Sequence, residues 1–554
     1  MTQLIIKIRQ CLEARDSKRL HRAGAVRPLS SRFLVPPMTV FLLCCGVAPI
    51  WADSGTWLLN PANGDWNNSA NWTSPTPPNG PFDTATFGVS NLTSVSISED
   101  TSIFSMVFNA GASAYHFTCP PSRHFTILDG GIDNGSGVIQ TFDVLAADTA
   151  DNFTSLAFGF HSSAGTNTLV IAHGAAVGNG ANPGFTQFTT ADAGSATLIN
   201  NGGVVSGAKG GEIDFFNSSQ AATATITNRA GTADGALGGR TLFWDGSGAD
   251  SVITAEGATV GGGEGGITLL LGNSDAGDAT MIAEGGSNGG GGGAIEFQDK
   301  GAGGTASIEV FGNGNLDISA LAISAITIGS LEGDGQVFLG NRKLNIGANN
   351  LSTTFSGAIQ DSGSLSKLGT GTLTLSGANT YSGATTVSAG ALKVANRTGS
   401  ATGTGEIKVN AGTLGGKGII AGAVTAGTGS GAGAFLAPSV GASQPAKLTI
   451  QSPLTFKADG TYTYKLNTKR AKADQVVANG VTIDSGAQFS FVAVANKTLT
   501  PGTVFTAISN TAATQIAGTF SNLADGSTFT VGSNTFQASY EGGDGNDLTL
   551  TVVP

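Results

Sequence analysis

Two interleaved series of residues share one period near 27 between about Phe153 and Val310. An apolar residue, usually Phe, returns at Phe160, Phe188, Phe215, Phe243, Leu270 and Phe297, with spacings of 28, 27, 28, 27 and 27. Eight to ten residues later a hydroxyl residue opens a second apolar run: Thr168, Thr197, Thr225, Ser251, Thr280 and Ser307, spaced 29, 28, 26, 29 and 27. Paired series of this kind mark a repeat architecture in which each unit stacks on the last. About 27 residues suit one coil of a parallel β-helix, with short strands joined by tight turns and equivalent residues about 4.8 Å apart along the axis. The Phe series is then expected to form an internal stack and the Thr/Ser series a hydroxyl ladder.

Composition bears this out where it matters. Glycine supplies 84 of 554 residues and charged residues only 12%, which disfavours long amphipathic helices and demands frequent turns. The pairs Gly202-Gly203, Gly238-Gly239 and Gly285-Gly286, and the triplet Gly261-Gly262-Gly263, fall between the runs, where the chain bends sharply, often with φ > 0. Gly289 to Gly293 has apolar repeat positions on both sides, so it reads as a corner rather than a flexible linker.

From Ile323 to Ile450 the rhythm changes. Short strands closed by glycine, such as Ile326-Thr327-Ile328-Gly329 and Val337-Phe338-Leu339-Gly340, lead into a stretch from Leu365 to Val394. There Leu373 and Leu375 alternate with Thr372 and Thr374, Gly377 and Asn379 turn the chain, and Thr385-Thr386-Val387 starts another extended run: strand, turn, strand. Taken whole, residues 365–394 resemble the passenger-associated autotransporter repeat, a β-strand module of bacterial secreted and surface proteins. The following segment, Ile407 to Gly416, resembles the way such repeats are prolonged. The resemblance implies an exported, elongated parallel β-helix, a role in secretion or folding of the passenger, and no chemistry. It departs from a complete autotransporter at the carboxyl end. Such proteins finish in a membrane β-barrel, whereas this chain ends at Val552-Val553-Pro554, like a passenger alone.

Export is written at the front. Eight Lys/Arg against Glu13 and Asp16 precede an apolar run from Met38 to Trp51, interrupted only by Thr39, with Ala52 as a small residue for cleavage. These are the parts of a secretory signal, and the apolar run is shorter than the roughly 20 residues that span a bilayer. Neither Cys44 nor Cys45 follows a small residue, which speaks against lipidation. Residues 1–52 carry +6 of a chain total of −11, so the remainder is −17, a balance that argues against nucleic acid or anionic lipid as a partner. Only Cys119 survives cleavage, so no internal disulfide forms.

The expected fold is all-β: a right-handed parallel β-helix over 131–450, an aromatic amino-terminal cap over 53–130 and an antiparallel β cap over 451–554. At about 25 residues per coil, the solenoid would make roughly 13 coils and 60 Å. Trp57, Trp66 and Trp72 read as a hydrophobic plug ahead of a sugar-stacking platform. Tyr462, Tyr464 and Leu466 share a face, as do Phe489, Phe491 and Ala493, which suggests antiparallel strands. Gly542 to Asp547 is similar to one calcium-binding nonapeptide, but a calcium roll needs tandem copies, so a hairpin turn is expected. Glu256 and Glu284, 28 residues apart in matching contexts, read as solvated turn residues; His116, His124, His161 and His173 lack metal-ligand spacing. No catalytic, cofactor or metal residue is assigned. The expectation is a structural or adhesive solenoid exported to the bacterial surface, meeting secretion machinery and a surface glycan or neighbouring surface protein. A glycan-binding or glycan-cleaving solenoid is the second reading.

Overall fold

The computed structural model describes residues 53–554 apart from Asn179 and Ala432. The expected secretory leader, 1–52, lies outside the described residues. Among them there is no α-helix, and a single 3-10 turn at Ser69–Asn71 interrupts an otherwise all-β chain.

Thirteen strands form one sheet, from Gly55–Thr56 to Ala358–Gln360. Each lies parallel to the next, one coil further on. A second parallel ladder runs from Ser94–Ser96 to Gln488–Val494, and no pairing joins its two ends, so it is an open sheet and not a barrel. A third, eight-stranded sheet opens at Ala325–Ile328 and reaches Val481–Ile483. One strand per sheet per turn is a parallel β-helix. The third sheet accounts for the change of rhythm near Ile323. Two-strand coils with long glycine corners give way to three-strand coils with shorter connections, such as Asn315–Asp317, Ala325–Ile328 and Ser330–Gly333.

The ring column is present with one change of membership. Phe188, Phe215, Phe243, Leu270 and Phe297 are fully buried and in mutual register. Their ring centroids lie 4.9 Å apart for Phe188–Phe215 and 4.8 Å for Phe215–Phe243, with planes within 9°. The first member, however, is Phe158, stacked on Phe188 at 4.8 Å. Phe160 is 59% exposed, because the chain turns through a left-handed conformation there (φ 51°) and throws that ring outward. The hydroxyl ladder is likewise broken. Thr197, Thr225, Thr280 and Ser307 align, but Leu169 and Val252 occupy the rungs expected for Thr168 and Ser251, each displaced by one residue.

Glycine at the corners serves close approach more than left-handed backbone. Of the clusters singled out in the sequence, Gly262 and Gly289 have positive φ, while Gly202, Gly203, Gly238, Gly239, Gly285 and Gly286 do not. A Cβ on Gly238 would meet the carbonyl oxygen of Gly265 at 2.0 Å, and one on Gly265 that of Gly292 at 2.1 Å. Coils therefore touch backbone to backbone at this corner. Beside it, buried Asn200 donates through Nδ2 to Asn228 Oδ1 (2.8 Å), and Asn228 donates to the Ile267 carbonyl (3.0 Å). This pairs Asn228 Oδ1 and the Ile267 carbonyl, which the corner would otherwise bury unpaired, and leaves Asn200 Oδ1 without a partner among the described residues.

Both ends differ from their expected boundaries. Parallel pairing already includes Thr84–Phe87 and Thr101–Phe108, so winding begins well inside 53–130. At the other end Tyr462, Tyr464 and Leu466 lie on Gly460–Asn467, which runs parallel to Ala434–Ala437 and Gln488–Val494; only the two-residue strand Lys472–Ala473 folds back antiparallel on its end, and antiparallel pairing dominates only from Val504–Asn510 onward. Alternating burial is common to solvated strands of either direction, which is why the pattern alone suggested antiparallel pairing.

Candidate functional site

The segment 365–394 folds as two successive rungs that pair with each other. Ser364–Lys367 lies beside Thr385–Val387, with Leu365 opposite Thr385, and Thr372–Leu375 lies beside Ala391–Val394, with Leu373 opposite Leu392. The strands of the sequence-level strand-turn-strand, Thr372–Leu375 and Thr385–Val387, thus belong to different sheets. Each finds its partner one coil away inside the same thirty residues. Leu365, Leu373, Leu375, Val387, Leu392 and Val394 face the interior, and buried Tyr381 shares a 2.6 Å hydrogen bond with Thr385 Oγ1. Each of the four strands finds one of its two partners inside the module, so half of the ladder closes locally, which lowers the entropy cost of starting a solenoid.

Lys367 is the unusual residue of this module. Its side chain is 1% exposed, and Nζ donates to the carbonyl oxygens of Leu368 and of Gly369 (3.0 Å for the latter). Burial lowers the ammonium pKa to about 8. The folded chain then binds fewer protons than the unfolded chain between that value and the ordinary 10.5, so stability is expected to rise with pH across this window, by at most about 3 kcal/mol. Urea titrations at pH 7.5 and 10 check this; a Lys367→Met variant should lose the pH dependence, and an unchanged slope in that variant would assign it elsewhere.

The histidines dismissed on spacing are partly brought together. His116 and His173 both direct Nε2 at Asp143, His173 at 3.0 Å from Oδ1 and His116 at Oδ2. Burial alone would raise the Asp143 carboxyl, but the hydrogen bonds from His173 and His116 hold it below its ordinary value. The trio spans three coils and ties them on the outer surface. Sequence reasoning missed Asp143, although its offsets of 27 and 30 from the two histidines are coil spacings. His124 instead packs on Phe153, with ring centroids 4.5 Å apart. Among the described residues no group of three or more His, Cys, Asp or Glu is placed to hold a metal ion.

Glu256 and Glu284 do occupy successive rungs, one residue beyond the paired Ala255 and Ala283, and Arg229 follows Asn228 on the rung before. Burial raises the Glu256 carboxyl, Arg229 opposes this and Glu284 adds to it. Arg229 itself donates to Asn201 Oδ1 at 3.1 Å. The column is an outer ridge of one cation followed by two carboxylates. The three tryptophans are interior. Trp57 and Trp66 each pack edge-on against Trp72, at 5.2 and 4.8 Å, and all three indole N–H groups donate to backbone carbonyls, so none offers a free face to a sugar. Gly543 to Asn546 is the turn between the antiparallel strands Asn534–Gly542 and Asp547–Val553. The Cys119 thiol is buried, and burial followed by the charge of Asp143 pushes its pKa up to about 12, which leaves it unreactive.

Comparison with known proteins settles the identity of the self-pairing segment. Residues 365–394 match the family model described as the passenger-associated-transport-repeat. The chain carries that repeat. No curated protein matches the chain. Among solved structures, the crystal structure of the Haemophilus influenzae Hap adhesin is similar at 10% identity and a TM-score of 0.25, covering 88% of this chain and 66% of that one. The repeat-bearing chain thus spans just under two thirds of the solved chain.

Proposed function

We propose that this chain is an exported passenger, a structural or adhesive β-solenoid of a bacterial surface that performs no catalysis, with the repeat at 365–394 assisting its folding during export. The observation that carries the reading is the passenger-associated repeat folded as a self-paired double rung in unbroken register with the coils on either side. A segment that pairs two rungs within itself needs only local contacts to begin a ladder while the rest of a translocated chain is still extended. The acidic, sparsely charged residues 53–554 suit an aqueous exterior.

The test is expression of the full chain with its own leader in a diderm bacterium, followed by protease treatment and antibody labelling of intact cells. Protein accessible from outside is the expected result, and a chain confined to the cytosol overturns the reading. Leu373→Asn together with Leu392→Asn, which places polar groups opposite one another inside the repeat, should reduce the exposed amount while total synthesis is unchanged.

A further inference from the structure

We propose that a hollow on the outer face of the first sheet binds the apolar faces of a short neutral oligosaccharide. This inference deepens the surface-passenger reading and rests on it. The hollow has a volume of about 320 Å³ and is lined by Phe82, Phe104, Leu128 and Phe160, with Asp129 and His161 at its rim.

Two independent departures from the repeat build it. At the corner after each buried ring, the left-handed residue is Thr190 (φ 54°), Asn217 (52°), Asp245 (57°), Gly272 (64°) and Asp299 (51°) in five successive coils. Apart from Thr190, these are the types that tolerate this backbone. In the remaining coil the position is Phe160, followed by His161 at φ 71°. A bulky residue held there is strained, and strain that puts an aromatic ring into solvent points to use of that ring. The second departure is a bulge. Ile103 pairs with Ile127 but Ser105 with Gly131, so Leu128, Asp129 and Gly130 answer to Phe104 alone. The extra residues push Leu128 and Asp129 outward, and a Cβ on Gly130 would lie 2.7 Å from the Phe104 ring, so glycine there lets that ring lie across the bulge. Phe82, 59% exposed, is fixed from the next residue, where Asp83 accepts from the backbone N–H groups of Asp53 (2.7 Å) and Asn79 (3.0 Å).

The chemistry selects the occupant. Phe104 projects from a strand and Phe160 from the corner that closes Thr154–Gly159, and both strands are paired to coils on both sides, so a peptide strand finds no free edge to extend. A protein partner typically engages 20–30 residues a side, far more than this patch presents, whereas the volume falls at the small end of small-ligand clefts, roughly 300–1,000 Å³. The charge of −17 on residues 53–554 disfavours an anion. Aromatic faces receive the weakly positive C–H faces of a sugar ring. The Asp129 carboxylate and the His161 ring, 3.5 Å apart and both exposed, offer an acceptor and a donor to neighbouring hydroxyls.

The test uses the full chain, as recovered from the cell surface, on an array of short neutral hexose and N-acetylhexosamine oligosaccharides beside an array of apolar peptides. Binding on the glycan array is expected, reduced about tenfold or more in Phe160→Asn and in Phe82→Ser. Phe160→Asn should at the same time leave the melting midpoint unchanged or raised, because asparagine relieves the corner as Asn217 does two coils on. Binding retained in both variants, binding to apolar peptides alone, binding to neither array, or a lowered midpoint in Phe160→Asn each overturns the inference. Surface exposure persisting in those cases leaves the passenger reading standing, so the two failures are separable.

Discussion

Gly265→Ala is expected to destabilise the solenoid by about 4 kcal/mol, although it adds one methyl group. The new Cβ would lie 2.1 Å from the carbonyl oxygen of Gly292 and 2.4 Å from its carbon, both backbone atoms that no rotamer can move. Relief requires the coils to part at this corner, which would also disturb the buried contact between Asn228 and the Ile267 carbonyl. Gly88→Ala is the control: its Cβ meets nothing within 4 Å and its φ is not positive, so a change within about 0.5 kcal/mol is expected. Urea denaturation followed by circular dichroism compares the two, and similar midpoints for both variants would refute close coil approach as the reason for these glycines.

Phe215→Ala should cost about as much, some 4 kcal/mol, for a different reason. The ring is stacked between Phe188 and Phe243 and fully buried, so truncation leaves a cavity that neighbouring rungs, fixed by their ladders, cannot close. Phe215→Leu should cost only about 1.5 kcal/mol, since Leu270 already holds the rung next to Phe243 in the same column. Coils contact only their neighbours, so amide exchange should accelerate mainly around Gly184–Thr189, Glu212–Phe216 and Arg240–Trp244. Acceleration spread evenly from Thr84 to Val553 would instead indicate one cooperative unit.

The solenoid was legible because its period is imposed by geometry that any side chain must obey. The five later members of the ring column are the residues the spacing selected. The errors were of one residue or two, and they came where local backbone overrode the count. Phe160 lies 28 residues before Phe188 and so fits the period better than Phe158, which lies 30 before it, and only the left-handed turn at Phe160 puts the better-spaced ring outside. The uneven spacings 26 and 29 around Ser251 were the trace of its displacement from the ladder. Strand direction at Tyr462 was not legible, because parallel and antiparallel strands with one wet face bury alternate residues alike. Nor was the hollow: its parts come from four stretches between Pro81 and His161, and neither the bulge at Leu128 to Gly130 nor the strained corner leaves a compositional mark. The self-pairing of 365–394 lay in between. Its strands could be read, but their partners could not, since a strand's neighbour in a solenoid is decided by coil length rather than by adjacency.

The open ladders bear on how such a molecule can change its reach. Removing one residue from a rung would turn an interior ring to water, whereas duplicating or excising a whole turn returns every side chain to its former side and hands each carbonyl an equivalent partner. Length is therefore free to vary in steps of about 4.8 Å. Variation in length should accordingly arrive as insertions and deletions of complete turns.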